Sequence, residues 1–97
     1  MDQQMIGLYQ QALSAIKSTF AKNQSPLKAA LTCSNIDIRR GTVLVLLELY
    51  METANKRPHL LMGIKGELLD ILHFALQIES DPRQKVLLEY ARKEIAK

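Results

Sequence analysis

The chain has 97 residues, 47% of them hydrophobic and 24% charged, with 13 Lys and Arg against 10 Asp and Glu. That length holds one core rather than two, and the composition excludes intrinsic disorder. The net charge of +3 permits nucleic acid or an acidic partner but demands neither, because the basic residues are spread along the chain. Sixteen Leu and eight Ile dominate an apolar set that has no Trp and is poor in aromatics, a balance that leans helical. The single cysteine, Cys33, excludes an internal disulfide and makes a reducing, cytoplasmic setting the expectation. The longest apolar run, Val43 to Leu47, is far too short for a membrane span, and residues 1–4 lack the basic start of a signal peptide.

Proline and small polar residues divide the chain. Ser25-Pro26 and Asp81-Pro82 each set a capping side chain before a proline, while the stretch Ser34 to Gly41 and Arg57-Pro58 supply two further breaks. The expected architecture is an all-α bundle of four to five helices in one domain spanning 1–97. The helices are placed at about 2–22, 26–33, 39–56, 58–79 and 82–96. In the first, Ile6, Tyr9, Leu13, Ile16 and Phe20 recur on one stripe, opposite Gln3, Gln10, Ser14, Lys17 and Ala21. On the third, Val43, Leu46, Leu47, Tyr50 and Ala54 form a core face. Glu48, Glu52 and Asn55 mark its polar stripe, with Leu44 and Val45 at the edges of that stripe. On the fourth, Leu61, Ile64, Leu68, Leu72 and Ala75 point inward, and Met62 and Phe74 flank a narrow polar face. The fifth turns Leu87, Leu88, Ala91 and Ile95 inward and leaves Val86 and Tyr90 off that face.

Catalytic chemistry finds little to work with. Asp70 and His73 can meet one ion, but His59 lies about 16 Å away along the same helix. Cys33 has no C-x-x-C partner and sits at a helix end, where thiols are not activated, so it reads as a small buried side chain. Glu48 and Glu52 read as solvated, and no glycine-rich phosphate loop is present. No catalytic residue, metal or cofactor is expected, and the chain reads as a non-enzyme.

Two segments resemble nucleic-acid modules. Ile36 to Val43, with Arg39-Arg40-Gly41-Thr42, resembles the turn and second-helix start of helix-turn-helix proteins. That resemblance implies a DNA-binding regulator with Arg39 and Arg40 on phosphates and Thr42 beside them. The segment departs from the pattern at Asp37, where a turn glycine belongs. It departs again at Leu44 and Val45, where outward positions should be polar or basic. Met62-Gly63-Ile64-Lys65-Gly66 resembles the G-x-x-G loop of KH domains, whose strands have no counterpart in the pattern here. The two glycines otherwise serve either a close helix approach or a break between a short turn at Pro58–Met62 and the main helix.

Further resemblances point to protein binding. Pro26-Leu27-Lys28-Ala29-Ala30, followed by Ser34, Ile36 and Asp37, is similar to the second helix and turn of tetratricopeptide-like hairpins of small type III secretion chaperones. The size, charge and Pro58-led fourth helix look like small cationic immunity proteins of bacteriocin producers. Both imply a cytoplasmic helical protein that captures another polypeptide. The third and fourth helices are apolar around most of their circumference, more than so small a bundle obviously covers. The expected contact residues for another protein or a second copy are therefore Leu44, Val45, Met62, Phe74 and Tyr90, with Met51 and Met62 as adaptable surface. The alternative is the helix-turn-helix regulator using Arg39, Arg40 and Thr42.

Overall fold

A computed structural model describes residues 7, 10, 11, 14–18, 23 and 25–97. Every regular element among them is helical. Residues 14–18 belong to α1, and α2 (Ser25–Thr32), α3 (Ile36–Lys56), α4 (Lys65–Ile78) and α5 (Pro82–Ala96) follow. The all-α bundle expected from the apolar spacing is the fold found. Within α1, Ile16 is buried and Ser14 and Lys17 are exposed, as the stripe requires; Ile6, Tyr9, Leu13 and Phe20 lie outside the described residues.

Side-chain caps set where the later helices start. Asn35 has extended backbone, and its Oδ1 accepts from the amides of Asp37 at 2.9 Å and Ile38 at 3.3 Å. Satisfying these first free amides starts α3 at Ile36, three positions before the expected boundary, and Gly41 lies inside the helix. Asp81 does the same for α5, accepting from Arg83 at 2.9 Å and Gln84 at 3.0 Å with Pro82 in the first turn, as the Asp-Pro pair predicts. At Ser25-Pro26 the serine is already helical, and its amide donates to Asn23 Oδ1 at 3.3 Å.

The expected fourth helix is two pieces. Pro58–Leu61 forms one 3-10 turn, and α4 begins only at Lys65. Between them Gly63 takes φ +86°, a left-handed backbone that reverses the chain direction without a Cβ clash. Of the two roles open to the glycines, the break is the one found. No other group lies within 4 Å of where a Cβ would sit on Gly63 or Gly66, so neither glycine serves a close helix approach.

The helices close around one apolar cluster. α2 packs on α3 and α4, and α5 packs on the same two, with the α4–α5 contact the most extensive. Leu27, Leu31, Val43, Leu46, Leu68, Ile71, Leu72, Leu88, Ala91 and Ile95 fill the interior. Gln11, and Ser14 and Ala15 of α1, line one cleft together with Ala30 of α2 and Ile38 of α3. The radius of gyration, 12.5 Å, is that of a compact chain of this length. No helix among the described residues is long and apolar enough to cross a membrane.

Two expectations for α3 are corrected. Val45 is 9% exposed and part of the core, not an edge of the polar stripe. Ala54, assigned to the core face, is exposed. α3 has 21 residues and α2 only 8, so α2 flanks only part of its length, and residues 54–56 in the last turn are exposed. A single angular face cannot describe a helix whose surroundings change along its axis.

Candidate functional site

α3 and α5 run side by side in the same direction, tied at both ends. Near their starts Arg39 bonds Glu79, two residues before the Asp81 cap; near their ends Tyr50 Oη donates to the Ile95 carbonyl at 3.2 Å. Burial pushes the Tyr50 hydroxyl pKa up, which keeps it a neutral donor. One stripe of α3 faces outward at helical spacing, Arg40, Leu44, Glu48, Met51 and Asn55, and in the last turns Glu52, Ala54 and Lys56 are exposed beside it. On α5 the flank of Glu89 and Arg92 turns toward α4, beside His73 and Gln77. Val86 and Tyr90 are exposed and lie off the Gln84, Leu88, Ala91 and Ile95 stripe that α5 buries. Four large apolar side chains, Leu44 (51% exposed) and Met51 on α3 and Val86 and Tyr90 on α5, are therefore exposed on two parallel helices that pack against each other.

The structure divides the five expected contact residues. Leu44 and Tyr90 are both exposed, on the adjacent helices α3 and α5. Phe74 stands on α4 toward α2, where Lys28 Nζ sits 5.4 Å from its ring centroid, on the opposite side of the helical ring. Met62, 82% exposed, lies in the turn before α4, near the end of α5 that Lys65 Nζ reaches by donating to the Lys97 carbonyl at 2.8 Å. Val45 is in the core and offers no surface. Met51 and Val86, neither in that set, are the other two large apolar side chains exposed on α3 and α5.

Residues singled out for DNA contact are largely engaged inside the fold. Arg39 donates from Nε and Nη2 to the two carboxylate oxygens of Glu79 at 2.9 and 3.0 Å, and from Nη1 to the Cys33 carbonyl at 2.8 Å. The Glu79 side chain is only 3% exposed and also accepts from the Asp81 amide at 3.1 Å. One guanidinium thus joins the end of α2, the start of α3 and the α4–α5 connection. Thr42 is buried, and its hydroxyl donates to the Ile38 carbonyl at 2.6 Å. Only Arg40 of the three points outward. Its charge and that of Arg39 help hold the Asp81 carboxyl below its usual range, behind the larger effect of the Gln84 amide bond.

No sequence signal marks Glu79, whose partner is 40 residues away. Gln84, fully buried on α5, was legible in principle, since it sits on the stripe of Leu88, Ala91 and Ile95. Among the described residues neither its Oε1 nor its Nε2 has a hydrogen-bond partner.

Cys33 is half-buried, not fully enclosed as its reading supposed, and its thiol meets the Ala30 and Asn35 carbonyls at 3.5 and 3.6 Å. It closes the end of α2. A cleft of about 320 Å³ opens beside it, lined by Leu31, Ser34, Ile78 and the mutually satisfied Arg39–Glu79 pair. His73 shares a hydrogen bond with Gln77 at 3.1 Å, and no three His, Cys, Asp or Glu side chains among the described residues gather as a metal site would need. Comparison of the chain with protein-family models, curated proteins and solved structures found no match.

Proposed function

We propose that this chain is a small non-enzymatic protein-binding module, of chaperone, immunity or inhibitor kind, and that the α3–α5 face is where it engages a polypeptide. The observation that carries this reading is the run of Leu44, Met51, Val86 and Tyr90, exposed together above a well-filled core. Those side chains are not needed to complete the interior, because Leu46, Leu72, Leu88 and Ile95 already fill it. Contiguous exposed apolar surface is where soluble domains meet other proteins, and two aliphatic side chains, a thioether and a phenol tolerate varied partner surfaces. Charged neighbours on the same stripes, Arg40 and Glu48 on α3 and Lys93 on α5, supply a polar rim.

A photo-crosslinking side chain placed at Leu44 tests it in cell extract, with the same group at Phe74 as the comparison. The expected result is a covalent product with a polypeptide from Leu44 and much less from Phe74. The product disappears when Tyr90→Asp is added, while helical content is unchanged. Equal labelling from both positions, or none from Leu44, overturns the reading. A DNA titration of the same protein gives no salt-dependent binding; a steep salt slope would restore the helix-turn-helix alternative through Arg40.

A further inference from the structure

We propose that the α3–α5 face is the contact of a symmetric homodimer, in which α3 crosses antiparallel over α3 of a second copy with Leu44 on the two-fold axis. This rests on reading the face as a protein contact and specifies its partner as another copy of this chain. The argument is the order of side chains on the exposed stripe. Arg40, Leu44 and Glu48 follow one another at intervals of four, all facing outward. Arg and Glu four apart on a helix pair with each other, but these are eight apart, about 12 Å along the axis, with a leucine between them. Among the described residues neither makes a direct ion pair, although Arg40 lies near enough to Asp81 to lower its pKa, whereas Glu52–Lys56, Glu89–Arg92 and Glu94–Lys97 each pair within about one turn.

A two-fold axis through Leu44, perpendicular to the helix, exchanges position 40 with position 48 of the second copy. Arg40 then faces Glu48 of the second copy, Glu48 faces its Arg40, and the two leucines meet between them. A parallel arrangement instead sets Arg40 against Arg40 and Glu48 against Glu48, so the charges select the antiparallel one. Met51 and the adjoining Tyr90 and Val86 of α5 extend the apolar area away from the axis on both sides. With the axis at Leu44, α3 overlaps its counterpart over residues 36–52, about 24 Å, and with α5 beside it the face is on the order of 500 Å² in projection. A stable interface buries roughly 800 Å² per partner, so the face is of the right scale.

Charge exchange between two variants tests this directly. Light scattering across a wide concentration range at low salt is expected to give twice the 11.0 kDa chain mass for the unmodified protein. Arg40→Glu and Glu48→Arg each set like charges against one another twice, and each is expected to weaken association by about tenfold or more. Mixed in equal amounts, the two variants restore opposite charges at both positions. They are expected to form a dimer containing one copy of each, resolved by native mass spectrometry. Because Arg40 lies near Asp81, circular dichroism checks that each variant folds, and Arg40→Gln with Glu48→Gln serves if Arg40→Glu does not. In that pair each variant alone loses both cross-dimer ion pairs, and the mixed dimer regains one of them, so mixing is expected to recover association in part. The proposal is overturned by an unmodified chain that stays monomeric, by a dimer indifferent to both exchanges, or by a mixture that fails to recover. A monomer whose Leu44 cross-link goes to a different protein removes the homodimer alone; no cross-link of any kind removes the protein-binding reading with it.

Discussion

Arg39 shows how far a side chain's role depends on what the fold brings to it. In the sequence it stands beside Arg40 as one of two cations at a helix start, equally suited to a phosphate. In the structure Glu79 meets it through both carboxylate oxygens, and the two adjacent arginines have different surroundings: one engaged and largely buried, one outward. Removing one member of a buried pair leaves an uncompensated charge and costs about 3–5 kcal/mol. Glu79→Ala is therefore expected to lower the unfolding free energy measured in urea by that amount, whereas Arg40→Ala changes it little. Replacing both partners together, Arg39→Met with Glu79→Leu, recovers most of the loss because no charge remains buried. A loss under about 1 kcal/mol for Glu79→Ala would mean the pair behaves as a solvated surface bridge.

The caps and the one left-handed residue decide where helices begin and end, and two experiments address them. Asp81 accepts two amide bonds at the start of α5, and these bonds, with Arg39 and Arg40 nearby, lower its pKa. A carboxyl lowered on folding contributes stability that is present above its unfolded pKa and is lost as pH falls through the folded value. The melting temperature is expected to fall on acidification from about pH 4 downward, and less steeply in Asp81→Asn, which caps without titrating. Parallel pH profiles for the two proteins would remove Asp81 from the acid transition. At the start of α4 the two glycines separate cleanly. Gly63→Ala is expected to cost about 1 kcal/mol through its φ of +86° alone, since nothing crowds the added methyl. Gly66→Ala, inside the first turn of α4 with equally open surroundings, is expected to stabilise by about 0.5 kcal/mol. Opposite signs from residues three apart would establish that the turn, not the helix, requires glycine.

Across the whole molecule, the closed order of helices makes inside and outside a property of the assembly. Leu44 and Val45 are neighbours in an unbroken apolar run, yet one is half in solvent and the other belongs to the core. Val45→Asp sets a carboxylate among apolar side chains and is expected to cost more than about 4 kcal/mol, enough to abolish cooperative unfolding in a domain of this size. At concentrations low enough for the unmodified chain to be monomeric, Leu44→Asp leaves the thermal transition within about 2 °C of the parent, a shift well under 1 kcal/mol. Near-ultraviolet circular dichroism and the melting curve read both. A destabilised Leu44→Asp would show the outer face of α3 to be structural.

Much of this architecture was readable before any fold was known. Local chemistry decides whether a segment is helical and which residues stop it, and it acts through neighbours within four positions. That is why the helical stripes, the Asp81-Pro82 start and the polar-to-apolar alternation of α5 emerged from spacing alone. Periodicity also marked Leu44 and Tyr90 as off the main core faces. It could not say that α2 stops short of the end of α3, that α5 runs alongside α3, or that Phe74 falls on the far side of the ring. Those facts depend on contacts between residues tens of positions apart, and a helix carries no record of which neighbour will cover which flank. The Arg39–Glu79 bond and the side-by-side packing of α3 and α5 belong to that second kind. They exist only because the packed helices bring distant positions to one place.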